Sequence, residues 1–141
     1  MEIVQLQEVS DRDLSEVNNL FSQLTQHSKN ATIEQLEGML KSPNVEWWVA
    51  RDDNKMIGMG ILLVFLKSIG ISAQIQEMVI DEDYRGKGIG KMIAHKMIDR
   101  AKARGATHID LTSNPSRTAA NAFYQGLGFE KRDTNVYRLK L

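Results

Sequence analysis

The chain has 141 residues, of which 42% are hydrophobic and 26% are charged. This length and composition predict a single globular domain over residues 1–141 and argue against disorder. Residues 57–66, the longest mostly apolar stretch, are too few for a membrane span, which needs about 20 apolar residues. Because the N-terminus carries no secretion signal, we expect a cytoplasmic protein without a membrane partner.

Cysteine is absent, which excludes disulfide bonds, thiolate metal sites and a cysteine nucleophile. The three histidines, His27, His95 and His108, lack the spacing of metal ligands, so we predict that the protein binds no metal. The 18 basic and 18 acidic side chains balance, which argues against a nucleic-acid partner. The charge is nevertheless uneven, because residues 1–56 hold ten acidic and five basic side chains whereas residues 57–141 hold eight and thirteen.

Hydrophobic spacing and capping residues predict the secondary structure in chain order. Ser10 and Thr32, with Asp13 and Gln35 three residues later, have the spacing of capping boxes and open two helices. The predicted elements are a strand at 2–6, these two helices, strands at 45–51, 55–66 and 71–80, a helix at 89–104, a strand at 108–112, a helix from Asn114-Pro115 to Gly126 or Gly128, and a strand at 137–141. This order predicts an α/β fold with a mixed, twisted sheet of about six to seven strands and about four helices.

A glycine-rich turn, RGKGIGK at residues 85–91, lies between a predicted strand and a long predicted helix. Free amide groups and the positive end of the helix dipole meet at such a point and favour anions. Arg85, Lys87 and Lys91 gather there although each cation opposes the dipole by about 0.3–1 kcal/mol, which a polyanionic ligand explains. The turn is neither a Walker loop, because Met92 replaces Ser or Thr, nor a dinucleotide fingerprint, because Lys91 replaces the last glycine.

Two motifs in register carry a family resemblance. The pattern R-x-x-G-x-G is met by Arg85, Gly88 and Gly90, and the pattern A-x-x-F-Y-x-x-x-G-F is met by Ala120, Phe123, Tyr124, Gly128 and Phe129. On these motifs the sequence resembles the GNAT superfamily of N-acetyltransferases. The resemblance implies a single-domain acyl-CoA N-acyltransferase fold and transfer of acetyl from acetyl-CoA to a primary amine, by direct attack in a ternary complex.

The same resemblance implies the cofactor-binding residues. The diphosphate of acetyl-CoA is expected on the amides of the glycine-rich turn, and the pantetheine arm on the backbone at the end of the preceding strand. Arg117, Asn121 and Tyr124 share one face of the last helix, which resembles the wall of the cofactor site. The role of Arg117 stays open between a phosphate, an anionic substrate group and a helix-end carbonyl. The implied residues are Met78, Val79, Ile80, Arg85, Gly86, Lys87, Gly88, Ile89, Gly90, Lys91, Asn114, Arg117 and Asn121.

Two residues are expected to move protons. The resemblance gives Tyr124 the task of protonating the departing CoA thiolate. Many family members carry an acidic base nine positions before the arginine of the turn, but Gln76 stands there and Glu77 is its neighbour. Because adjacent strand residues face opposite ways, Glu77 reaches the site only if a β-bulge re-aims it. Glu77, Gln76 acting through water, and no protein base at all therefore remain open.

The acceptor is expected to be a small cationic amine, because the N-terminal part of the chain is acidic. The competing hypotheses are a non-catalytic module that senses acyl-CoA and an enzyme that acetylates protein lysines or N-termini. Trp47 and Trp48 alternate on a strand, so one is assigned to the core and the other to a neighbour, a second subunit or the substrate. The sequence thus leaves open whether the chain forms a homodimer.

Overall fold

The structure, a computed structural model, describes residues 1–24 and 29–141, so His27 lies outside the described residues. The chain divides into two compact units, Met1–Leu111 and Thr112–Leu141. Over the described residues the helices and strands follow in the order β1 Glu2–Leu6, α1 Asp11–Leu24, α2 Ile33–Leu40, β2 Val45–Asp52, β3 Lys55–Lys67, β4 Gly70–Ile80, α3 Ile89–Ala103, β5 Ala106–Asp110 and α4 Thr118–Gly126. A 3₁₀ turn, Glu82–Tyr84, stands between β4 and α3.

The first unit contains a mixed sheet in the order β1-β2-β3-β4-β5. All neighbouring strands are antiparallel except β4 and β5, which are parallel. The α/β class and the mixed sheet are therefore confirmed. The described part of the chain forms five strands, fewer than the six to seven expected, and β5 lies two residues earlier than predicted.

The predicted helix starts are confirmed by their hydrogen bonds. The amide of Asp13 donates to Ser10 Oγ at 3.1 Å, and the amide of Ser10 donates back to the Asp13 carboxylate at 2.9 Å. Thr32 and Gln35 form the second capping box. The hairpin between β2 and β3 turns at Asp53 and Asn54, whose φ angles of 45° and 66° fit a type I′ turn.

Both faces of the sheet are covered. The core cluster packs α1 and α2 on one side and contains Leu6, Val17, Leu20, Leu36, Trp47, Val49, Met56, Met59, Ile61 and Val79. Trp48 follows Trp47 on β2, and its ring lies under Lys96 of α3, with the ammonium 4.9 Å from the ring centroid. Trp48 is only 6% exposed and Trp47 is fully buried. Of the three alternatives for the second tryptophan, the structure of this chain shows the neighbour, since Trp48 lies against α3.

Two glycines of β3 let α3 lie close to the sheet. A Cβ at Gly60 would sit 2.7 Å from Met97 Cε, and a Cβ at Gly58 would sit 2.6 Å from Ile80 Cδ1 and 3.3 Å from Ile93 Cδ1. These distances are shorter than packed carbon atoms tolerate. The glycines therefore leave room for the side chains of Met97 and Ile80, whose flexible ends would have to move if a Cβ were added.

A buried carboxylate joins β2 to the other end of α3. Glu46, 3% exposed, accepts from Arg100 Nη2 at 2.6 Å and from Arg100 Nε at 3.1 Å, while Arg104 Nη1 lies 3.4 Å away. The indole N–H of Trp48 donates to the same carboxylate at 3.3 Å. Burial opposes ionisation, but the hydrogen bonds from Arg100 and Trp48 outweigh it and lower the pKa of Glu46. The carboxylate therefore stays charged and holds the helix on the strand.

The second unit starts its helix later than predicted. Asn114 and Pro115 were expected to begin it, but α4 begins at Thr118. The Asn114 Oδ1 instead accepts from the amide and the hydroxyl of Ser116, at 2.9 Å and 2.8 Å, and closes a turn ahead of the helix. Gly128, with φ at 99°, follows the end of α4 as expected.

The predicted last strand at 137–141 is absent from the structure, which describes all of residues 130–141 without helix or strand. Alternation of Tyr137, Leu139 and Leu141 gives the segment strand propensity, but a strand also needs a hydrogen-bonded neighbour. All three side chains are exposed. Among the described helices, none is long and apolar enough to cross a membrane.

Candidate functional site

The glycine-rich turn opens α3 in the first unit. Gly88 is the residue before the helix, with φ at 79°, and Gly86 has φ at 75°. No side chain caps the helix start. The first helical hydrogen bond is donated by Met92 to the carbonyl of Gly88, at 3.1 Å. Within residues 1–24 and 29–141, the amides of residues 86–91 have no acceptor, so six consecutive donors are available to a ligand.

Space for a ligand lies over the two glycines of positive φ. A Cβ built on Gly86 or on Gly88 would meet no atom within 4 Å. The glycines are needed for the left-handed backbone, and their missing side chains also leave the amides accessible. The turn therefore fits an anionic group such as a diphosphate, which can approach the backbone directly.

The three cations of the turn are held differently. Arg85 donates from Nε to the carbonyl of Ile80 at 3.0 Å, and its terminal nitrogens make no hydrogen bond to residues 1–24 or 29–141. Lys87 lies over the ring of Tyr84, with its ammonium 4.8 Å from the centroid. Lys91 is exposed. No ion pair among the described side chains uses any of these cations, so their charge is available to an anion.

The end of β4 has an open edge beside the turn. The last pair between β4 and β5 joins Gln74 to Asp110, where β5 ends. On its other side β4 remains paired with β3 up to Ile80. Residues 75–80, which include Met78 and Val79, thus have no strand on the β5 side within the described sheet. An extended ligand can pair with the backbone there.

A β-bulge lies at Glu77. Met59 pairs with Val79 and Ile61 pairs with Gln76, so Glu77 and Met78 together stand opposite one residue of β3. Glu77 has φ at 52°, in the left-handed region that side chains other than glycine seldom adopt. Such a bulge was required for the side chain of Glu77 to depart from the regular alternation of β4. By surface area Glu77 is exposed, yet the protein atoms around its carboxyl remove part of its hydration and raise its pKa.

The second unit holds Asn114, Arg117, Asn121 and Tyr124 on α4 and the turn before it. Asn121 donates from Nδ2 to the carbonyl of Asn114 at 2.9 Å and to that of Arg117 at 2.8 Å. Its side-chain donors are thus used on the chain's own backbone, and Oδ1 remains as an acceptor. Asn121 therefore fixes the turn that carries Asn114 and Arg117. The sequence did not indicate this role for Asn121.

Tyr124 packs between two aromatic rings of its own unit. The ring centroids of Phe123 and Phe129 lie 5.2 Å and 5.8 Å from that of Tyr124, both in edge-to-face arrangements. Burial raises the pKa of the Tyr124 hydroxyl, and the charge of Arg117 opposes this only in part. The hydroxyl therefore carries its proton at neutral pH and can act as a donor.

The first unit brings together the glycine-rich turn, the open edge of β4 and the bulge at Glu77, and the second unit brings together Arg117, Asn121 and Tyr124. Sequence reasoning missed Tyr84, whose ring lies against Lys87 of the turn, and also Lys55 and Asp81, which contact Tyr84. The position of Tyr84 directly before the motif was the only sequence signal for them. Across residues 1–24 and 29–141, no three His, Asp or Glu side chains are arranged to hold a metal ion.

Comparison with known families agrees with this geometry. The model of the acetyltransferase (GNAT) family matches residues 11–129, which include both motifs, the turn and α4. The chain belongs to this family, whose members use acetyl-CoA.

An uncharacterized N-acetyltransferase of Methanocaldococcus jannaschii is 39% identical over 61 residues, which cover 43% of this chain and 27% of that protein. Human N-acetylaspartate synthetase is 29% identical over 103 residues, which cover 73% of this chain and 33% of that enzyme. The matches thus span a third or less of the length of these relatives. The crystal structure of glucosamine-6-phosphate N-acetyltransferase from Arabidopsis thaliana has a TM-score of 0.83 at 22% identity, over 98% of this chain and 97% of that one. At this identity the likeness concerns the fold alone.

Proposed function

We propose that this chain transfers the acetyl group of acetyl-CoA to the primary amine of a small molecule, by direct attack in a ternary complex. The observation that carries the proposal is the run of six amides at residues 86–91 without an acceptor among the described residues, with open space at Gly86 and Gly88 and three cations that form no ion pair with described side chains. Because cations are unfavourable at a helix start without an anion, this arrangement is best explained by a bound diphosphate. Family membership supplies the acetyl donor.

The cofactor is proposed to bind along the first unit. The amides of residues 86–91 and the free nitrogens of Arg85 would hold the diphosphate, with Lys87 and Lys91 supplying further charge. The open backbone edge at Met78, Val79 and Ile80 would pair with the amide groups of the pantetheine arm. Main chain makes these contacts, so side-chain changes at 78–80 are expected to matter less than changes at the glycines.

Glu77 is proposed as the base. An alkyl amine has a pKa near 10 and is almost wholly protonated at pH 7, and only its neutral form attacks a carbonyl. The bulge turns Glu77 out of the regular alternation, and partial burial raises its pKa toward the range useful for accepting a proton. Glu77 would take the proton of the ammonium group, directly or through one water.

Tyr124 is proposed as the acid. Bound acetyl-CoA would supply an activated thioester carbonyl; the amine nitrogen would form the new C–N bond, and the C–S bond would break with its electron pair on sulfur. Tyr124 would give its hydroxyl proton to that sulfur. The second proton that the nitrogen loses on becoming an amide would pass to water, and Tyr124 would regain a proton from water. The raised pKa of Tyr124 keeps the hydroxyl protonated at neutral pH, so the donor is present in each turnover.

A small-molecule acceptor is supported by one relative, since human N-acetylaspartate synthetase is named for a small molecule. The expected preference for a cation has weaker support. Asp13 and Glu16 pair with Arg51, and Glu46 pairs with Arg100, so part of the acidic charge of residues 1–56 is used within the fold. N-acetylaspartate, for which that enzyme is named, also carries acidic groups.

A thiol-release screen tests the proposal. The purified chain is incubated with acetyl-CoA and a panel of polyamines, amino sugars, amino sugar phosphates, amino acids, aminoglycosides and peptides, and free CoA is measured. We expect release with at least one small amine above the rate without acceptor. Release with peptides alone would favour a protein acetyltransferase. Binding of acetyl-CoA without release for any amine would favour the non-catalytic sensing module.

A further inference from the structure

Tyr84 occupies a position next to the glycine-rich turn that the proposed reaction does not use. The ammonium of Lys87 lies 4.8 Å from its ring centroid, and the ammonium of Lys55 lies 5.1 Å from the same centroid. Both distances are within the range of cation–π attraction, about 6 Å. Two cations from separate parts of the chain, β3 and the turn, thus meet at one ring.

The ring itself is firmly placed. The amide of Tyr84 donates to the carbonyl of Asp81 at 2.8 Å, and Asp81 donates its amide to Ile57 of β3 at 2.9 Å. The Asp81 carboxylate, buried to 5% exposure, accepts from the amide of Asp83 at 3.1 Å and pairs with Lys55 at 3.3 Å. Lys55 is therefore ion-paired with Asp81 beside the ring, whereas Lys87 forms no ion pair with a described carboxylate.

The kind of contact matters for Lys87. Glu82 and Asp83 are exposed close by in sequence, and a carboxylate partner would compete with any anion that binds the turn. An aromatic ring attracts an ammonium group without cancelling its charge. A lysine already held in place also loses less side-chain freedom when the anion arrives. The ring thus orders Lys87 and leaves its charge to the ligand.

We infer that Tyr84 is a positioning residue for cofactor binding: its ring, fixed by Lys55 and Asp81, holds the ammonium of Lys87 at the turn where the diphosphate of acetyl-CoA binds. This inference rests on the proposed function, because it requires the diphosphate at residues 86–91. It predicts that Tyr84 acts on affinity through Lys87 and through no other group.

The test is a double-mutant cycle on the affinity for acetyl-CoA, measured by isothermal titration calorimetry at low salt. Tyr84→Leu is expected to weaken binding about three- to tenfold, equivalent to about 0.7–1.4 kcal/mol. Lys87→Met is expected to weaken it at least as much, and the double variant no more than Lys87→Met alone. Tyr84→Phe, which keeps the ring, is expected to restore affinity to within about twofold. A merely structural role for Tyr84 would not produce this dependence on Lys87.

Matched controls are available in the chain. Tyr137→Leu removes an exposed tyrosine of the second unit, and Lys102→Met removes a lysine at the far end of α3; both should leave affinity unchanged. Circular dichroism checks the fold, and Tyr84→Gln replaces Tyr84→Leu if the apolar variant aggregates. Unchanged or tighter binding in the variant that lacks the ring, Tyr84→Leu or Tyr84→Gln, would overturn the inference, and so would additive losses in the cycle. If only Lys87→Met loses affinity, the inference is overturned but the cofactor site still stands. If Lys87→Met and a Gly88→Ala variant both bind acetyl-CoA normally, the proposed site itself is wrong.

Discussion

Replacing Gly88 by alanine separates the role of the turn in folding from its role in binding. Gly88 has φ at 79°, so an alanine there costs about 1–2 kcal/mol in the left-handed backbone. The added methyl group meets no protein atom within 4 Å and would project into the space assigned to the diphosphate. Gly88→Ala should therefore lose stability through the backbone alone and lose acetyl-CoA binding through the methyl group.

Gly105 offers the matched control at the other end of the same helix. Its φ is 82°, and a Cβ there would lie at an ordinary 3.7 Å from Ile71 Cδ1. For 141 residues, about 1 kcal/mol corresponds to about 3–4 °C in melting temperature, so both alanine variants should melt about 3–8 °C below the parent. The backbone penalty is the same, but only one variant alters the proposed site.

Thermal unfolding with and without acetyl-CoA distinguishes the two variants. A ligand at 100 times its dissociation constant adds about 2.7 kcal/mol, or about 8–10 °C for a chain of this size. The parent and Gly105→Ala should show this rise, and Gly88→Ala should show little of it. Equal rises in the two alanine variants would refute diphosphate binding at the glycine-rich turn. An undiminished melting temperature for ligand-free Gly88→Ala would refute the backbone penalty assigned to Gly88.

Three further variants address the proton transfers and the fold. Tyr124→Phe should lower kcat about 10²-fold, with KM for acetyl-CoA changed less than about threefold; a change in KM alone would make the hydroxyl a binding group. Glu77→Gln should lower kcat by about 10²–10⁴-fold. In the parent, the rate should rise with pH as Glu77 loses its proton, at a pH above the ordinary pKa of Glu, and the variant should lack this rise. An unchanged pH profile would assign the base elsewhere. Glu46→Gln should cost about 2–3 kcal/mol at pH 7. The pKa of Glu46 is lowered in the folded state, so its contribution to the free energy of unfolding is present above the unfolded pKa of about 4.3. This contribution is lost as the pH falls through the folded pKa. The melting temperatures of the parent and the variant should therefore converge in acid.

The sequence predicted most of the first unit because local rules decided its elements. Ser10 and Thr32 bind the amides that their capping patterns imply, and Asp53 and Asn54 supply the positive φ that a tight hairpin needs. The glycine-rich turn was equally visible, because its charges oppose the helix dipole whatever the tertiary structure. Each of these features depends on residues within a few positions of one another.

The features that the sequence did not reveal depend on distant or competing partners. The bulge at Glu77 arises from the register of β4 against β3, which no local pattern records. The start of α4 was wrong because Asn114 can cap a helix or close a turn, and its oxygen binds Ser116 instead. The strand at 137–141 was wrong because alternation gives a preference without supplying a neighbour. Tyr84 drew no attention because its two cations come from separate elements.

Charge on the N-terminal part of the chain illustrates how folding changes the meaning of composition. Residues 1–56 carry ten acidic and five basic side chains. Asp13, Glu16 and Glu46 form ion pairs with arginines. A preference for a cationic acceptor would therefore have to come from exposed carboxylates such as Glu34 and Glu37 of α2, whose field in water falls off within about 8–10 Å at physiological salt. Surface charge screened over that distance favours encounter more than it selects a substrate, so the choice of amine must rest on short-range contacts at the acceptor site.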